Sequence, residues 1–200
     1  NLHPFNSLPN ANSSLPLCNM KVGIIFGGKS REREVSFAGG RTVFDSLDKD
    51  LFEPIPIFMD SLGNFIHLDW QYLYKGSIRD FYPPVSALPE SLNQYQVYIE
   101  SLGALSVEEQ DKASQQIGKK LTLEELPNLI DFAFLCLHGP YGEDGTVQGI
   151  LEFMDIPFSG AGIYPSSLGI DKSIQKRLFE ESGFSGLNYQ LIDRQEWYSY

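Results

Sequence analysis

The chain has 200 residues, of which 42% are hydrophobic and 20% are charged, and its formal net charge is −11. This composition is typical of a globular protein, and the length suits one medium-sized domain or one domain with part of another. The negative charge argues against a nucleic-acid or anionic-membrane partner, although a local basic pocket can still bind phosphate. No apolar run reaches the roughly 20 residues that a membrane span needs.

The N-terminal stretch and the two cysteines bear on the cellular compartment of the protein. Residues 1–19 are rich in Asn, Pro and Ser without hydrophobic periodicity, so we expect a disordered tail or a linker there rather than a secretory signal. Cys18 lies in this stretch and Cys136 lies in an apolar run, which gives neither a disulfide framework nor zinc-ligand spacing. We therefore expect a reduced, cytoplasmic setting.

A strand, a helix and a second strand are predicted at the start of the folded part. Residues 21–26 form a short apolar run that ends at two glycines, which is typical of a buried parallel strand. Residues 30–47 have the spacing of an amphipathic helix, with Ser30 as its cap. The expected inward stripe of this helix is Val35, Ala38, Val43 and Leu47. Residues 52–59 predict a second strand, whose two prolines favour a sheet edge or a strand start.

The middle of the chain gives weaker patterns. Residues 65–68 predict a short strand, and residues 69–75 predict a helical turn. The side chains of that turn expected to face inward are Trp70, Leu73 and Tyr74. Residues 121–127 predict a short helix before the next strand.

The densest group of candidate functional side chains follows residues 132–137, which predict a buried strand. Four glycines, a His, a Glu and an Asp lie in residues 138–149. Glycines let backbone approach a ligand closely, and open α/β sheets bind small molecules where strands end. His138 leaves the strand directly and is a candidate ligand contact, with a purely structural role as the alternative. For Glu143 and Asp144 a structural role is favoured, with Asp144 as the cap of the next helix.

The remaining patterns complete the predicted fold. Residues 146–154 predict a helix, residues 155–160 a turn with a short strand, and residues 166–183 a second strong helix that ends at a glycine. Alternating strands and helices predict an α/β fold, with a small open, mainly parallel sheet and flanking helices.

Two further segments can bind charged groups. Residues 27–36 run from strand-end glycines into a helix start, but they lack the third glycine of a dinucleotide fingerprint and the ending of a P-loop. They are either a tight turn between strand and helix or a site where Glu32 meets an ammonium group. Residues 169–177 are either the polar face of a helix or a basic cluster in which Lys172 meets a phosphate.

Four segments together resemble one family. They are residues 27–36, residues 137–149, residues 156–162 and the pair Asp171-Lys172, in that order and spacing. Over residues 20–192 they strongly resemble D-alanine–D-alanine ligase, a member of the ATP-grasp superfamily. No single segment is decisive, but four in register make coincidence improbable.

The resemblance implies a fold and a reaction. Residues 20–164 are expected to form the family's Rossmann-like N-terminal domain, and residues 165–200 to start a truncated ATP-grasp domain with the first helix of the central domain. The family uses ATP to phosphorylate one D-alanine, which the amine of a second D-alanine then attacks. The dipeptide serves peptidoglycan biosynthesis, and thus the cell wall and cell shape. The family often dimerises, so a homodimer is expected.

The resemblance also implies residue roles. Glu32 binds the ammonium of the first D-alanine, His138 lies beside its carboxylate with Gly139 in the same site, and Lys172 reaches the ATP phosphates. The Mg²⁺ ligands of the family come later than Tyr200, so no metal residue is assigned here. We expect the 200-residue chain to be inert and its longer parent to be the ligase. Another ATP-grasp carboxylate–amine ligase, a binding module and part of a fused cell-wall enzyme are the alternatives.

Overall fold

The computed structural model describes residues 19–83, 102–103 and 105–198. The tail predicted for residues 1–19 and its cysteine therefore lie outside the described residues, apart from Asn19. Within the described part, no helix is long and apolar enough to cross a membrane.

Five strands of the described residues form one open sheet in the order β4-β3-β2-β1-β5. They are β1 (Met20–Gly27), β2 (Phe52–Met59), β3 (Phe65–Leu68), β4 (Gly118–Leu121) and β5 (Phe132–Leu135). β1 is parallel to both β2 and β5, whereas the β2–β3 and β3–β4 pairs are antiparallel. The predicted open α/β sheet with flanking helices is confirmed, and its parallel part is the trio β2-β1-β5.

β1 lies in the middle of this parallel trio and is buried on both faces. Ile24 and Phe26 enter one apolar core, while Ile25 between them enters the core on the other side of the sheet. All three side chains are fully buried. Successive side chains of a strand point to opposite faces, so a strand covered on both sides must be apolar at every position. The uninterrupted apolar run in the sequence is the result.

The prolines of β2 do not place it at an edge. β2 pairs with β1 along its whole length, but its pairing with β3 begins only at Ile57. Pro54 and Pro56 both precede that pairing, so the N–H groups that they lack are not needed by the β3 ladder. The edge-strand alternative is therefore wrong, and the prolines mark the part of β2 that β3 leaves unpaired.

The first helix, α1 (Arg33–Ser46), starts three positions later than predicted. Its N-cap is Glu32, whereas the Ser30 hydroxyl accepts the N–H of Glu32 at 3.1 Å and so belongs to the preceding loop. Because that hydroxyl turns the backbone before the helix begins, the cap predicted at Ser30 is wrong.

The inward face of α1 also differs from the predicted stripe. Val35 and Ala38 are exposed, and the buried positions are Ser36, Phe37 and Gly40. A Cβ at Gly40 would lie 2.6 Å from the Phe26 ring, so the missing side chain lets the helix approach β1 closely. This close contact rotates the glycine face toward the sheet. Two members of the predicted stripe, Val43 and Leu47, do pack against the core.

Between β3 and β5 the chain makes short elements. A 3₁₀ turn (Trp70–Tyr74) buries only Leu73, while Trp70 and Tyr74 are 62% and 53% exposed, because a single turn has one inward position. The predicted inward set was therefore wrong in two of its three members. The helix α2 (Val107–Ile117) and strand β4 had no counterpart in the sequence prediction.

The helix predicted over residues 121–127 is split and displaced. Leu121 ends β4, a 3₁₀ turn covers Leu123–Glu125, and α3 is Leu126–Leu129. β5 stops at Leu135, two residues before the predicted end, and three of its four residues are only half-buried.

Past β5 the helices are α4 (Thr146–Phe153), α5 (Ile163–Ile170), α6 (Lys172–Glu181) and α7 (Arg194–Trp197). The predicted helix over residues 166–183 is interrupted at Asp171. This residue is extended, with ψ at 103°, and its carboxylate accepts the N–H groups of Ser173 and Ile174. The side chain competes with the continuing helix and caps a new one, so α5 and α6 are separate elements. The predicted short strand near residue 158 is an isolated bridge to β5.

Two neighbouring glycines of α1 test the close approach to β1. We expect Gly40→Ala to lower the free energy of unfolding by about 1–3 kcal/mol, because the new methyl overlaps Phe26. Gly39→Ala is the matched control: its Cβ meets only the Cys136 Cβ at 3.9 Å. The better helix propensity of alanine should then raise stability by up to about 1 kcal/mol. Urea unfolding measures both, and equal effects of the two changes would contradict this packing.

Candidate functional site

Three loops meet where the parallel strands end. They follow β1 at Gly27, β2 at Met59 and β5 at Leu135, so their carboxyl ends lie at one edge of the sheet. In open α/β sheets this edge is where ligands bind. The site residues predicted in the two glycine-containing segments lie on these loops: Glu32 follows β1, and His138 and Gly139 follow β5.

The loop after β1 depends on two glycines with left-handed backbone. Gly27 and Gly28 have φ of 93° and 100°, and the Gly28 N–H donates to the Met59 carbonyl at 2.7 Å. A Cβ at Gly27 would lie 2.5 Å from that same carbonyl, so only glycine fits. The Gly27 N–H donates to the Ser36 hydroxyl at 2.8 Å, which ties the loop to α1.

The glycine-rich loop after β5 is held by its own acidic residues. The Glu143 carboxylate accepts the N–H of Gly139 at 2.6 Å. The Asp144 carboxylate accepts the N–H groups of Tyr141 at 2.7 Å and Thr146 at 3.0 Å. The structural role predicted for this acid pair is therefore confirmed.

The predicted cap position was wrong by one residue. Gly145 is the N-cap of α4, and its φ of 94° is left-handed. Asp144 therefore lies just before the cap, although it still accepts the first helical N–H. Partial burial acts to raise the pKa of Asp144, but hydrogen bonds from Thr146 and Tyr141 favour the charged form and leave the pKa below its usual value.

A buried glutamine holds the same loop from behind. Gln148, on α4, is 6% exposed, and its amide nitrogen donates to the Gly142 carbonyl at 2.8 Å. Its side-chain oxygen is buried and has no hydrogen-bond partner among the described residues. The sequence analysis missed this contact. The only available signal was a polar residue beside Val147 on the inward stripe of a predicted helix.

The first and second glycine loops touch at Gly139. A Cβ at this buried glycine would lie 2.5 Å from the Ser30 hydroxyl and 3.0 Å from a carboxylate oxygen of Glu32. The Glu32 side chain therefore packs directly against the loop residue that follows His138. Glu32 is exposed, and no hydrogen bond from another described residue reaches its carboxylate. A negative group thus remains available at the meeting point of the loops.

His138 is half-exposed beside this meeting point. Its Nδ1 atom lies 3.9 Å from a carboxylate oxygen of Glu143, with 42% of the histidine side chain accessible. The other oxygen of Glu143 is the one that accepts the Gly139 N–H. Glu143 therefore lies near the histidine ring and binds the backbone next to it.

Lys172 lies on a pocket next to this group. The pocket has a volume of about 380 Å³ and lies between the glycine-rich loop and the turn between α5 and α6. Its polar lining side chains are Glu143, Gln148, Ser159, Ser166 and Lys172. Glu143 is thus shared, because it lines the pocket and also contacts His138. The structure brings Glu32, His138 and Gly139 together, and it places Lys172 on the adjoining pocket.

The described cysteine, Cys136, is buried and adds no nucleophile to this group. Burial raises the pKa of the Cys136 thiol to about 11, so the thiol is protonated at neutral pH. Among the described residues, no three His, Cys, Asp or Glu side chains are grouped as a metal site requires.

A sequence model of the family described as "D-ala D-ala ligase N-terminus" matches residues 21–161. The chain belongs to this family of D-alanine–D-alanine ligase N-terminal domains. The matched range includes both glycine loops and ends just before α5.

Curated relatives extend the D-alanine–D-alanine ligase likeness beyond the matched range. The chain is 33% identical to D-alanine–D-alanine ligase of Natranaerobius thermophilus over 178 residues, which cover 89% of this chain and 43% of that protein. It is also 33% identical to the ligase of Geobacillus thermodenitrificans, with 88% of this chain and 44% of that protein covered. The chain thus spans less than half the length of these relatives.

Solved structures share the fold of this ligase-family chain. The D-alanine–D-alanine ligase of Coxiella burnetii superimposes with a TM-score of 0.61 at 20% identity, over 88% of this chain and 46% of that one. The ligase of Helicobacter pylori gives 0.60 at 22% identity, over 88% and 49%. At these identities the likeness concerns the fold alone.

Two left-handed glycines test the contact at Gly139. We expect Gly139→Ala to lower the free energy of unfolding by about 2–5 kcal/mol, since the methyl adds overlap with Ser30 and Glu32 to the strain of a positive φ. Gly160→Ala is the control, because its φ is 99° and its Cβ meets nothing within 4 Å. There we expect only the strain, about 1–2 kcal/mol. Chemical denaturation compares the two, and an equal loss would refute the crowding at Gly139.

Proposed function

We propose that this chain supplies the N-terminal, substrate-binding part of a ligase that joins two D-alanines with ATP. Three things support the proposal: the family match over residues 21–161, curated ligase relatives that cover about nine-tenths of the chain, and the chemistry of the loop meeting point. Because the chain spans 43–44% of those relatives, the proposed reaction is that of a longer protein which carries this sequence.

The observation that carries the proposal is the contact of Glu32 with Gly139, next to His138. An amino acid is a zwitterion, so its site must present a negative group to the ammonium and donors to the carboxylate. The accessible Glu32 carboxylate suits the ammonium through a charge-assisted hydrogen bond. The His138 ring nitrogen suits the carboxylate. We assign the first D-alanine to this position.

The proposed reaction has two steps. The carboxylate oxygen of the first D-alanine attacks the γ-phosphorus of ATP, which gives an acyl phosphate and ADP. The amine of the second D-alanine then attacks the acyl carbon, a peptide bond forms, and inorganic phosphate leaves as the amine loses a proton. Lys172, as a cation on the pocket next to His138, is assigned to the ATP phosphates, whose negative charge it offsets.

These assignments divide the chain into a part that binds the first D-alanine and a part that begins the ATP-binding domain. Residues 20–164 are proposed as the domain for the first D-alanine, and residues 165–200, which contain α6, as the start of the ATP-grasp domain. Mg²⁺ would supply charge neutralisation on the ATP phosphates from ligands outside the described residues. A cytoplasmic homodimer that feeds peptidoglycan synthesis completes the proposal.

The role of Glu32 is tested by D-alanine titration of the chain, followed by ¹H–¹⁵N NMR shifts of the two glycine loops. We expect Glu32→Gln to weaken D-alanine binding about 10-fold or more, because the ammonium loses a charged acceptor of similar shape. Glu181→Gln is the matched control, since it removes the same charge from an exposed position on α6. Unchanged affinity in Glu32→Gln would show that the ammonium binds elsewhere.

The division of labour makes a second, kinetic prediction. The purified 200-residue chain should release no phosphate in the presence of ATP, Mg²⁺ and D-alanine, because it spans only 43–44% of its ligase relatives and cannot position both substrates alone. A colorimetric phosphate assay with and without D-alanine measures this. Release that requires D-alanine would overturn the assignment of catalysis to a longer protein.

A further inference from the structure

Lys29 connects all three loops at the ligand-binding edge of the sheet. It follows Gly28 in the first loop, and its Nζ atom lies 4.7 Å from the centre of the Tyr141 ring in the glycine-rich loop. The stem of the lysine runs over Gly63, in the turn between β2 and β3, where a Cβ would lie 2.7 Å from Lys29 Cε. The side chain thus lies between the turn and the ring. Neither the family assignment nor the proposed reaction gives this residue a role.

The turn beneath the lysine is held firmly. Asp60 is 1% exposed, and its carboxylate accepts the N–H groups of Leu62 and Asn64, each at 2.9 Å. The same carboxylate accepts the amide of Asn64 at 2.8 Å and the hydroxyl of Tyr82 at 3.3 Å. Gly63 within this turn has a φ of 93°, so a side chain there would be strained as well as crowded by Lys29. The lysine stem therefore rests on a surface that does not adapt to it.

The backbone that carries the ring on the other side is also held in place. Tyr141 has a φ of 68°, which is rare for a residue with a bulky side chain. Asp144 holds this conformation by accepting the Tyr141 N–H at 2.7 Å. The ring itself is 47% exposed, so it contributes little to a core. A strained backbone that presents an exposed ring to a cation is better explained by the contact than by packing.

We propose that Lys29 and Tyr141 are positioning residues: their cation–π contact holds the glycine-rich loop against the first loop and so sets the affinity for the first D-alanine. Glu32 lies three positions after Lys29, and His138 lies three positions before Tyr141. The cation–π contact therefore joins the first loop and the glycine-rich loop at an exposed position, and Glu32 and Gly139 join the same two loops at a second, more buried position. The inference rests on the proposed function, because the tethered loops carry the assigned substrate contacts.

The solvent exposure of the Lys29 and Tyr141 side chains sets the expected size of their effect on D-alanine affinity. Both partners are partly in water, and a cation–π pair at an exposed site changes an equilibrium about 2- to 5-fold. The apparent D-alanine affinity is proportional to the fraction of chains in the binding-competent arrangement, so loss of the contact lowers the affinity by up to that factor.

Two pairs of variants separate the charge and the ring from mere bulk. Lys29→Met keeps a flexible apolar stem over Gly63 but removes the charge, whereas Lys29→Arg keeps a cation. Tyr141→Leu removes the ring, whereas Tyr141→Phe keeps it. NMR of the 200-residue chain gives two readouts: the D-alanine affinity, and, without ligand, the ring-current shift of the Lys29 Cε protons together with the His138 ring resonances.

We expect Lys29→Met and Tyr141→Leu each to weaken D-alanine binding about 2- to 5-fold and to move the His138 resonances without ligand. The Arg and Phe variants should retain wild-type behaviour. The double variant Lys29→Met/Tyr141→Leu should be no weaker than either single change, because both remove one contact. The Lys29 ring-current shift should vanish in Tyr141→Leu and persist in Tyr141→Phe.

Unchanged affinity in the Met and Leu variants, or strictly multiplicative effects in the double variant, would overturn the inference. A Lys29 proton shift that survives Tyr141→Leu would show that the two side chains do not meet in solution. The ligand-free shift keeps this test separate from that of the proposed function. If the wild-type chain fails to bind D-alanine, the substrate assignment falls and the affinity claim falls with it, whereas the contact between the loops is still judged by the ring current.

Discussion

The approach of two backbone loops at Gly139 is the constraint on which the site depends. The glycine-rich loop can pass Ser30 and Glu32 at this distance only because residue 139 has no side chain and a left-handed backbone. The same device appears one step earlier, where Gly27 passes the end of β2. Each of these close backbone approaches restricts the conformations that a loop can adopt. Together these two close approaches position Glu32 and His138, and neither side chain is needed to hold the loops in place.

Fixing the loops in this way separates structural from functional charges. One carboxylate oxygen of Glu143 and both of Asp144 accept N–H groups of their own loop or of the first turn of α4. The Glu32 carboxylate accepts no hydrogen bond from another described residue, and Glu32 is exposed. The pocket with Lys172 then adds an opposite charge beside the same loop.

The sequence was informative where one local signal dominated. The apolar runs of β1 and β2 and the stripe of α4 predicted their elements correctly, because burial on known faces fixes residue type directly. The inward face of α1 was wrong because a glycine, not an apolar side chain, marks its closest contact. The break at Asp171 was missed because a capping carboxylate and an ordinary polar residue of a helix look alike in a single sequence. α2 was missed although Ser106 and Glu109 form a capping box at its start.

The candidate site was predictable only in part, for a similar reason. Glu32, His138, Gly139 and Lys172 were singled out from segments that are dense in glycine and charge, and their chemical roles remain proposals. Lys29 joins two of those segments through Tyr141, which lies far along the chain, whereas Gln148 binds the Gly142 carbonyl within one segment. Their partners are a carbonyl group and a ring that no periodicity identifies, so only three-dimensional proximity discloses them.

The bridge beside β5 has a consequence for how this protein behaves at high concentration. β5 is an outer strand of the sheet, and an open strand edge invites pairing with strands of other molecules. Here the Ala133 N–H already donates to the Pro157 carbonyl at 2.8 Å, and the Ala133 carbonyl accepts the Ser159 N–H at 2.9 Å. The Leu135 N–H donates to the Ser159 hydroxyl at 2.9 Å. Three residues of an ordinary loop thus occupy the β5 edge, and they block that edge from pairing with strands of other molecules without adding another strand.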